Sequence, residues 1–414
     1  MIHALWMIVL TFFGLRVPHT TDEEMKLIQW TSAWKRIYLK NERPASANFI
    51  FINVAWEKQY VPKTDANGFI IGNDVITNRK KLARLVNLLN EKPDNHKFLV
   101  MDIRFEERFS RKDLENMGLT SPSEYDSLSL YDSLLSTALV KTKNCIISYH
   151  ADVEGNLKPP VFPVMAGLSN YETTSEGTII KFSAIQADTA RTTPLLIHQA
   201  LHHSSYSKGF LFDTMNGRFV LKSFILDHRI LIHPWEFTTN DYYHHAYLGE
   251  LLQMPDSFIH ELTKDKIIVV GDFEDRDIHE TIYGAMPGPI ILLNAFLAFE
   301  NRDNIITLGF IAFLFISYTL ISYRCFSQIN LMDNLLINRL PFPNEAKKLI
   351  GSLAGYLVLL IVMSIISYFL FNVHLTILLL AIYLQLLEWV IAFINKKRKT
   401  NSAPVFGNLK TTPL

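Results

Sequence analysis

Residues 349–371 read LIGSLAGYLVLLIVMSIISYFLF, without a single charged side chain. A helix rises 1.5 Å per residue, so roughly twenty apolar residues cross a hydrocarbon core about 30 Å thick. The stretch therefore predicts a membrane span. Two more qualify: residues 305–323 (IITLGFIAFLFISYTLISY), also uncharged, and residues 375–394 (LTILLLAIYLQLLEWVIAFI), with one acid, Glu388. Residues 1–17 (MIHALWMIVLTFFGLRV) are apolar over a shorter length, with no Lys or Arg ahead of them and no small-x-small cleavage site before Thr20. They are read as an uncleaved anchor, the alternative being a signal-peptide core.

Composition agrees. Of 414 residues, 49% are apolar and 19% charged, below the usual quarter for soluble domains, and the mean hydropathy is +0.14. Lys plus Arg number 40 and Asp plus Glu number 40, a net charge of zero, which argues against a nucleic-acid binder. The two cysteines, Cys145 and Cys325, are too few for a disulfide framework or a thiolate zinc site.

Basic residues orient the spans. Residues 324–348 carry Arg324, Arg339, Lys347 and Lys348 against Asp333 and Glu345, and the tail opens Lys396-Lys397-Arg398-Lys399. The hairpin at 372–374 has no Lys or Arg. Both basic segments are expected in the cytoplasm, with the bulk of the chain outside. The expected division is an anchor or signal segment (1–19), an extracytoplasmic α/β domain (20–303), three transmembrane helices (304–395) and a short cytoplasmic tail (396–414).

Within 20–303 the text alternates between strands and helices. Residues 48–54 (NFIFINV), 97–103 (KFLVMDI) and 145–149 read as buried strands. Residues 79–91, with Leu82, Leu85, Val86 and Leu89 at helical spacing, and residues 130–140 read as helices. Alternation implies a mostly parallel sheet covered on both faces. The later half is expected to repeat the scheme: strand 178–182, helix 194–203, strand 229–233, helix 247–253, strand 266–271 (KIIVVG). Helix 287–299 then runs toward the first strong span. Pro287 and Gly288 suit its start, and Pro287, Gly288 and Asn294 mark it as a coupling helix between sheet and membrane.

The sharpest chemical stretch is 271–280, GDFEDRDIHE, just past the carboxyl end of a strand. Open parallel sheets bind ligands in the crevice beyond those ends. Asn53 and Asp102 end two other strands, so Asn53, Asp102, Gly271, Asp272, Asp275, Asp277 and His279 are expected to form a rim for a polar ligand or a hard cation. The plainer alternative is a solvated acidic loop. His198 and His202 stand at i and i+4 on a predicted helix, a spacing that can hold one metal. No Glu follows in the HExxH manner, so they are read as hydrogen-bonded or solvent-facing, as are His203, His233, His244 and His245. Histidine clusters can also sense acidification. Glu388, in a span, either snorkels toward Lys396 and Lys397, hydrogen-bonds a neighbouring helix or lines an ion pathway. GxSxG, Walker, CxxC and GxGxxG motifs are absent from the sequence. No enzyme activity, cofactor or metal is assigned.

The order of these pieces resembles the type-2 CHASE family, extracytoplasmic sensory domains of bacterial receptors that precede three membrane helices. The resemblance covers roughly residues 45–395. It is most specific over YLGELLQMPDSFIHELTKDKIIVVGDFEDRDIHETIYGAMPGPIILLNAF, where the helix 247–252, the strand ending at Gly271, Asp277, Met286-Pro287-Gly288 and Asn294 fit the family pattern. AGLSNYETTSEGTIIKF (166–182), Asp102 with Phe105, and Asp132 fit as well. A tryptophan- and proline-rich stretch of the family is replaced at 68–78 by GFIIGNDVITN. The resemblance implies a sensory role and a place in a bacterial inner membrane, and it names no ligand.

Family members continue into a kinase or cyclase. Here about twenty residues follow the last span, so the output is expected to act in trans. The expectation is a membrane-anchored sensor that binds an extracytoplasmic ligand or partner at the sheet rim and signals to a separate cytoplasmic effector. The rival is a non-signalling membrane scaffold holding a partner protein. Gly351 to Gly355 (GSLAG) has the small-residue spacing that brings helices together, which points to a homodimer.

Overall fold

Strands buried on both faces read as near-continuous apolar runs, and the central strands of this chain are written so until their carboxyl ends, where Asn53, Asp102 and Ser148 stand. The computed structural model describes residues 1–16, 24–39, 44–64, 70–105, 125–151, 156–158, 160–187, 189–327 and 344–401. The chain divides into an α/β unit, Met25–Ile306, and a helical unit, Met1–Glu24 with Thr307–Leu414.

After α1 (Ile2–Arg16), which belongs to the helical unit, the α/β unit starts with α2 (Met25–Leu39) and β1 (Phe49–Asn53). A hairpin of β2 (Lys58–Thr64) and β3 (Ile70–Thr77) leads to α3 (Arg79–Glu91), β4 (Phe98–Asp102), α4 (Tyr125–Lys141), β5 (Cys145–Tyr149) and β6 (Ala166–Leu168). Then come β7 (Glu172–Thr173), β8 (Ile179–Ser183), α5 (Thr193–His202), β9 (Ser223–Ile225), β10 (His244–Tyr247), α6 (Leu248–Leu251) and α7 (Asp256–Thr263). The unit closes with β11 (Ile267–Gly271), β12 (Ile278–Thr281), β13 (Gly284–Pro287) and α8 (Gly288–Glu300).

The main sheet has the order β10–β1–β11–β4–β5–β6, and every neighbouring pair is parallel. On one face, Leu82, Leu85, Val86, Leu135, Leu139, Leu248 and Ile259 bury Ile50, Ile52, Leu99, Met101, Ile268 and Val270. α5 and α8 cover the other face. Asn78 starts α3 by accepting the Lys81 N–H at 3.1 Å. The buried Arg79 pairs with Asp132 at 3.5 Å, which ties α3 to α4, and lies 4.5 Å over the ring of Phe105 beyond β4.

The later half departs from the expected repetition. β7, β8, β9, β12 and β13 form a second sheet that is antiparallel apart from the β8–β12 contact. Residues 229–233 form no strand. The reason is Asn294: its Oδ1 accepts the N–H groups of Arg229 (2.8 Å) and Ile230 (2.9 Å), and its Nδ2 donates to Ile230 O (2.8 Å). A helix side chain thus takes the place of a partner strand. The unit also ends three residues later than the expected 303. Asn304 O accepts from Leu221 N, Ile306 N donates to Phe219 O, and Arg229 pairs with Asp303 at 2.9 Å.

In the helical unit, α9 (Leu308–Ser327), α10 (Asn344–Phe371) and α11 (Ile377–Asn401) each contain a stretch long and apolar enough to cross a membrane. Exposed Leu320, Val362, Leu386 and Phe393 are the surface that lipid would cover. The 15-residue α1 packs on α9, where Thr11 Oγ1 and Tyr318 OH are 2.6 Å apart. Glu24 accepts the N–H groups of Ile377 and Leu378, an acid at the start of α11. Glu388 is buried and accepts from Ser352 of α10, so it faces the bundle interior. Arg324, counted above with the basic loop, is buried in the last turn of α9, 4.8 Å over the Tyr356 ring. Its guanidinium occupies the space that a side chain at Gly355 would fill. Asp333 and Arg339 lie outside the described residues.

Candidate functional site

Parallel pairing puts the last residues of the central strands in one row. Tyr247 stands opposite Asn53, Asn53 opposite Gly271, and Gly271 opposite Asp102. Ser148 follows one step beyond the Met101–Ile147 pair and faces Gly167. Residues one step earlier, Ile52, Val270, Met101 and Ile147, belong to the core under α3 and α4. The end row therefore turns to the face covered by α5 and α8.

Two glycines let those helices come close. A Cβ on Gly271 would collide with Pro289 in the first turn of α8, and one on Gly167 would meet the backbone of Thr193 at the start of α5. Asp102 and Ser148 lie between the two glycines, so the row brings them beneath two helix N-termini. Ser169 Oγ donates to Ser148 Oγ at 2.8 Å and lies 2.9 Å from Thr193 Oγ1, a hydroxyl chain at the start of α5. At α8, the Gly288 N–H donates to Asp277 O at 2.7 Å, and the Asp277 carboxylate sits where a Gly288 side chain would be. His279 Nε2 is 2.9 Å from Asp277 Oδ1.

Asp102 is the unusual member. It is 7% exposed, and its Oδ1 has no hydrogen-bond partner among the described residues. Burial, then the nearby Asp277 charge, pushes its carboxyl up to about 7, while a hydrogen bond with Ser148 opposes the shift. His279 is held above its ordinary value, first by its hydrogen bond to Asp277. Tyr171, packed against the His279 ring at 6.1 Å, is pushed well up by burial and by the Asp102 and Asp277 charges. Its OH donates to Gly288 O at 3.3 Å.

The other expected rim residues have different work. Asp272 accepts the backbone N–H groups of Glu274, Asp275 and Arg276 and so shapes the loop. Asp275 makes an exposed ion pair with Lys58. Asn53 Nδ2 donates to Glu274 at 2.7 Å, and Trp56 and Tyr247 donate to the same carboxylate. The stretch 271–280 thus splits: Asp277 and His279 join Asp102, whereas Asp272, Glu274 and Asp275 order the loop. Pro287 and Gly288 form the start of α8, and Asn294 is its clasp on residues 229–230.

Ser148, Tyr171 and Glu300 were not singled out from sequence. Glu300 ends α8 and lies 2.8 Å from His198 Nδ1 and 2.7 Å from His202 Nε2. No local spacing signals a ligand set divided between two helices. At the opposite, amino-terminal edge of the sheet a groove of about 280 Å³ is lined by Leu139, Cys145, Pro163, Met165 and Ala200. Burial pushes the Cys145 thiol up to about 12, which leaves it unreactive.

Comparisons with family models, curated proteins and solved structures return no match.

Proposed function

We propose that this chain is a membrane-anchored receptor of the type-2 CHASE kind, whose α/β unit takes a small cationic ligand at the end of the parallel sheet. The observation that carries the reading is the buried Asp102 Oδ1, beside the Asp277–His279 pair and without a hydrogen-bond partner among the described residues. A carboxyl held near neutrality releases its proton to solvent when a cation, either an ammonium group or a hard metal ion, binds beside it and its charge offsets the burial. Three apolar helices support the anchoring. The basic segments support an orientation with the α/β unit outside the cytoplasm and the carboxyl terminus within.

The order of the pieces supports a route for the signal. α8 starts at the rim, with Gly288 and Pro289 against Asp277 and Gly271, and ends at Glu300. Residues 303–306 are clasped to the α/β unit, and α9 begins at Leu308. A ligand that moves the first turn of α8 acts on an element that leads by chain continuity into a membrane helix, and from there to a cytoplasmic effector.

The test uses the full chain in lipid nanodiscs. Melting is followed while Mg2+, Ca2+ and a panel of small amines are titrated separately. A saturable rise in Tm with one class, lost in Asp102→Asn, supports the reading and says which class binds. The same rise in Asp102→Asn, or no rise with any cation, overturns it.

A further inference from the structure

His198 and His202 stand one turn apart on α5, and the tertiary fold supplies the acid their local sequence lacks. Glu300, 98 positions beyond His202, places Oε1 at hydrogen-bond distance from both rings. The three potential ligand atoms all lie within 4.8 Å of one another. His198 is buried, its ring 5.9 Å from that of Phe299, whereas the His202 side chain is 47% exposed. The cluster therefore has a fixed back and an open front.

We propose that His198, His202 and Glu300 hold a divalent transition-metal ion of the zinc class, with water completing its coordination. Two imidazole nitrogens and one carboxylate oxygen form a donor set of open zinc sites. Imidazole also favours such ions over magnesium or calcium. In the metal-free arrangement one carboxylate oxygen accepts from two rings. On binding, each ring presents a lone pair at the nitrogen that had donated, by tautomer exchange or by loss of a proton to solvent, and the ion takes the position of the two hydrogens.

Ligands about 2.1 Å from a tetrahedral ion stand about 3.4 Å from one another. Glu300 Oε1, at 2.8 and 2.7 Å, must therefore move outward by roughly 0.6–0.7 Å from each ring, and the two rings must settle at that same spacing. The adjustment falls on His202, the exposed ring in the last turn of α5. Its successor His203 already turns away in the left-handed region at φ 50°.

The His198–His202–Glu300 cluster is separate from the strand-end site. Gly288 and Glu300 are the two ends of α8, about 18 Å apart at 1.5 Å per residue. A bound ion would tie the ends of α5 and α8 together just before the clasped residues 303–306. Occupancy would then set how firmly the segment leading to α9 is held.

The full chain, purified without a histidine tag and stripped with a chelator, is titrated with Zn2+ against a chromophoric competitor. Cobalt is substituted in parallel for its visible absorption. One tight equivalent of zinc is expected, weakened by at least about tenfold in His202→Ala and in Glu300→Gln and unchanged in His203→Ala. The cobalt bands should vanish with His202→Ala. Because His202 is exposed, that variant decides the matter even if Glu300→Gln fails to fold. Absence of a tight equivalent, or wild-type affinity and spectrum in His202→Ala, overturns the proposal and leaves a hydrogen-bonded triad.

Discussion

Asp102→Asn replaces a titrating carboxyl by a neutral group of the same shape, and its effect on stability is calculable. The folded-state value is about 7 against an ordinary 3.8, with burial the main cause. Between those two values the folded chain keeps a proton that the unfolded chain has lost. Stability is therefore highest at low pH, falls by about 1.4 kcal/mol per pH unit as pH rises through this window, and levels off above neutrality. The whole loss is about 4 kcal/mol, of which roughly 2.5 kcal/mol falls above pH 5. The neutral amide of the variant carries no such dependence.

The advantage of Asp102→Asn over wild type should thus grow by about 2–3 kcal/mol from pH 5 to pH 8, or about 3–5 °C in melting temperature for a unit spanning Met25–Ile306. Scanning fluorimetry of both proteins across that range reads the difference directly, since titrating groups other than Asp277 and His279, which feel the Asp102 charge, cancel. Asp277→Asn should lower the Asp102 value, since the Asp277 charge is the second contributor. A difference between Asp102→Asn and wild type that stays flat with pH, or a variant less stable than wild type at pH 8, would refute the reasoning.

Two further expectations concern the architecture. Asn294→Ala strips partners from the Arg229 and Ile230 N–H groups and the Ile230 carbonyl at a fully buried helix face. It should cost about 3–5 kcal/mol; a melting shift equivalent to less than about 1 kcal/mol would show that residues 229–230 repack freely. Compartment-sensitive reporters inserted at position 150 and at the carboxyl terminus should report opposite sides of the membrane. Agreement between them would remove the proposed orientation.

The spans were legible because a bilayer sets one simple demand, about twenty apolar residues in a row. Expected 349–371 and observed Ile350–Phe371 differ by one residue at one end. The central strands were legible for a related reason: burial on both faces leaves an apolar run with no need to know the partner strand. β5 and α3 fall at their expected boundaries. The antiparallel second sheet was not legible. Its strands are two to five residues long, and their pairing is decided by contacts far apart in sequence. Residues 229–233 illustrate the limit, since their β-like composition is satisfied by the side chain of Asn294.

Asn53, Asp102 and Gly271 could be placed at strand ends from sequence, but their common row depends on register, which pairs residues more than 200 positions apart. Asp272 and Asp277 look alike in GDFEDRDIHE. Backbone geometry turns the first into a loop cap and sets the second against the first turn of α8. Glu300 carried no signal at all, being 98 positions from the nearer histidine. Hydropathy and periodicity are local quantities and wrote the membrane spans and the parallel core into the chain. Which carboxylates lose water, and which side chains meet, depended on how distant segments close against one another, because burial and proximity exist only in the folded state.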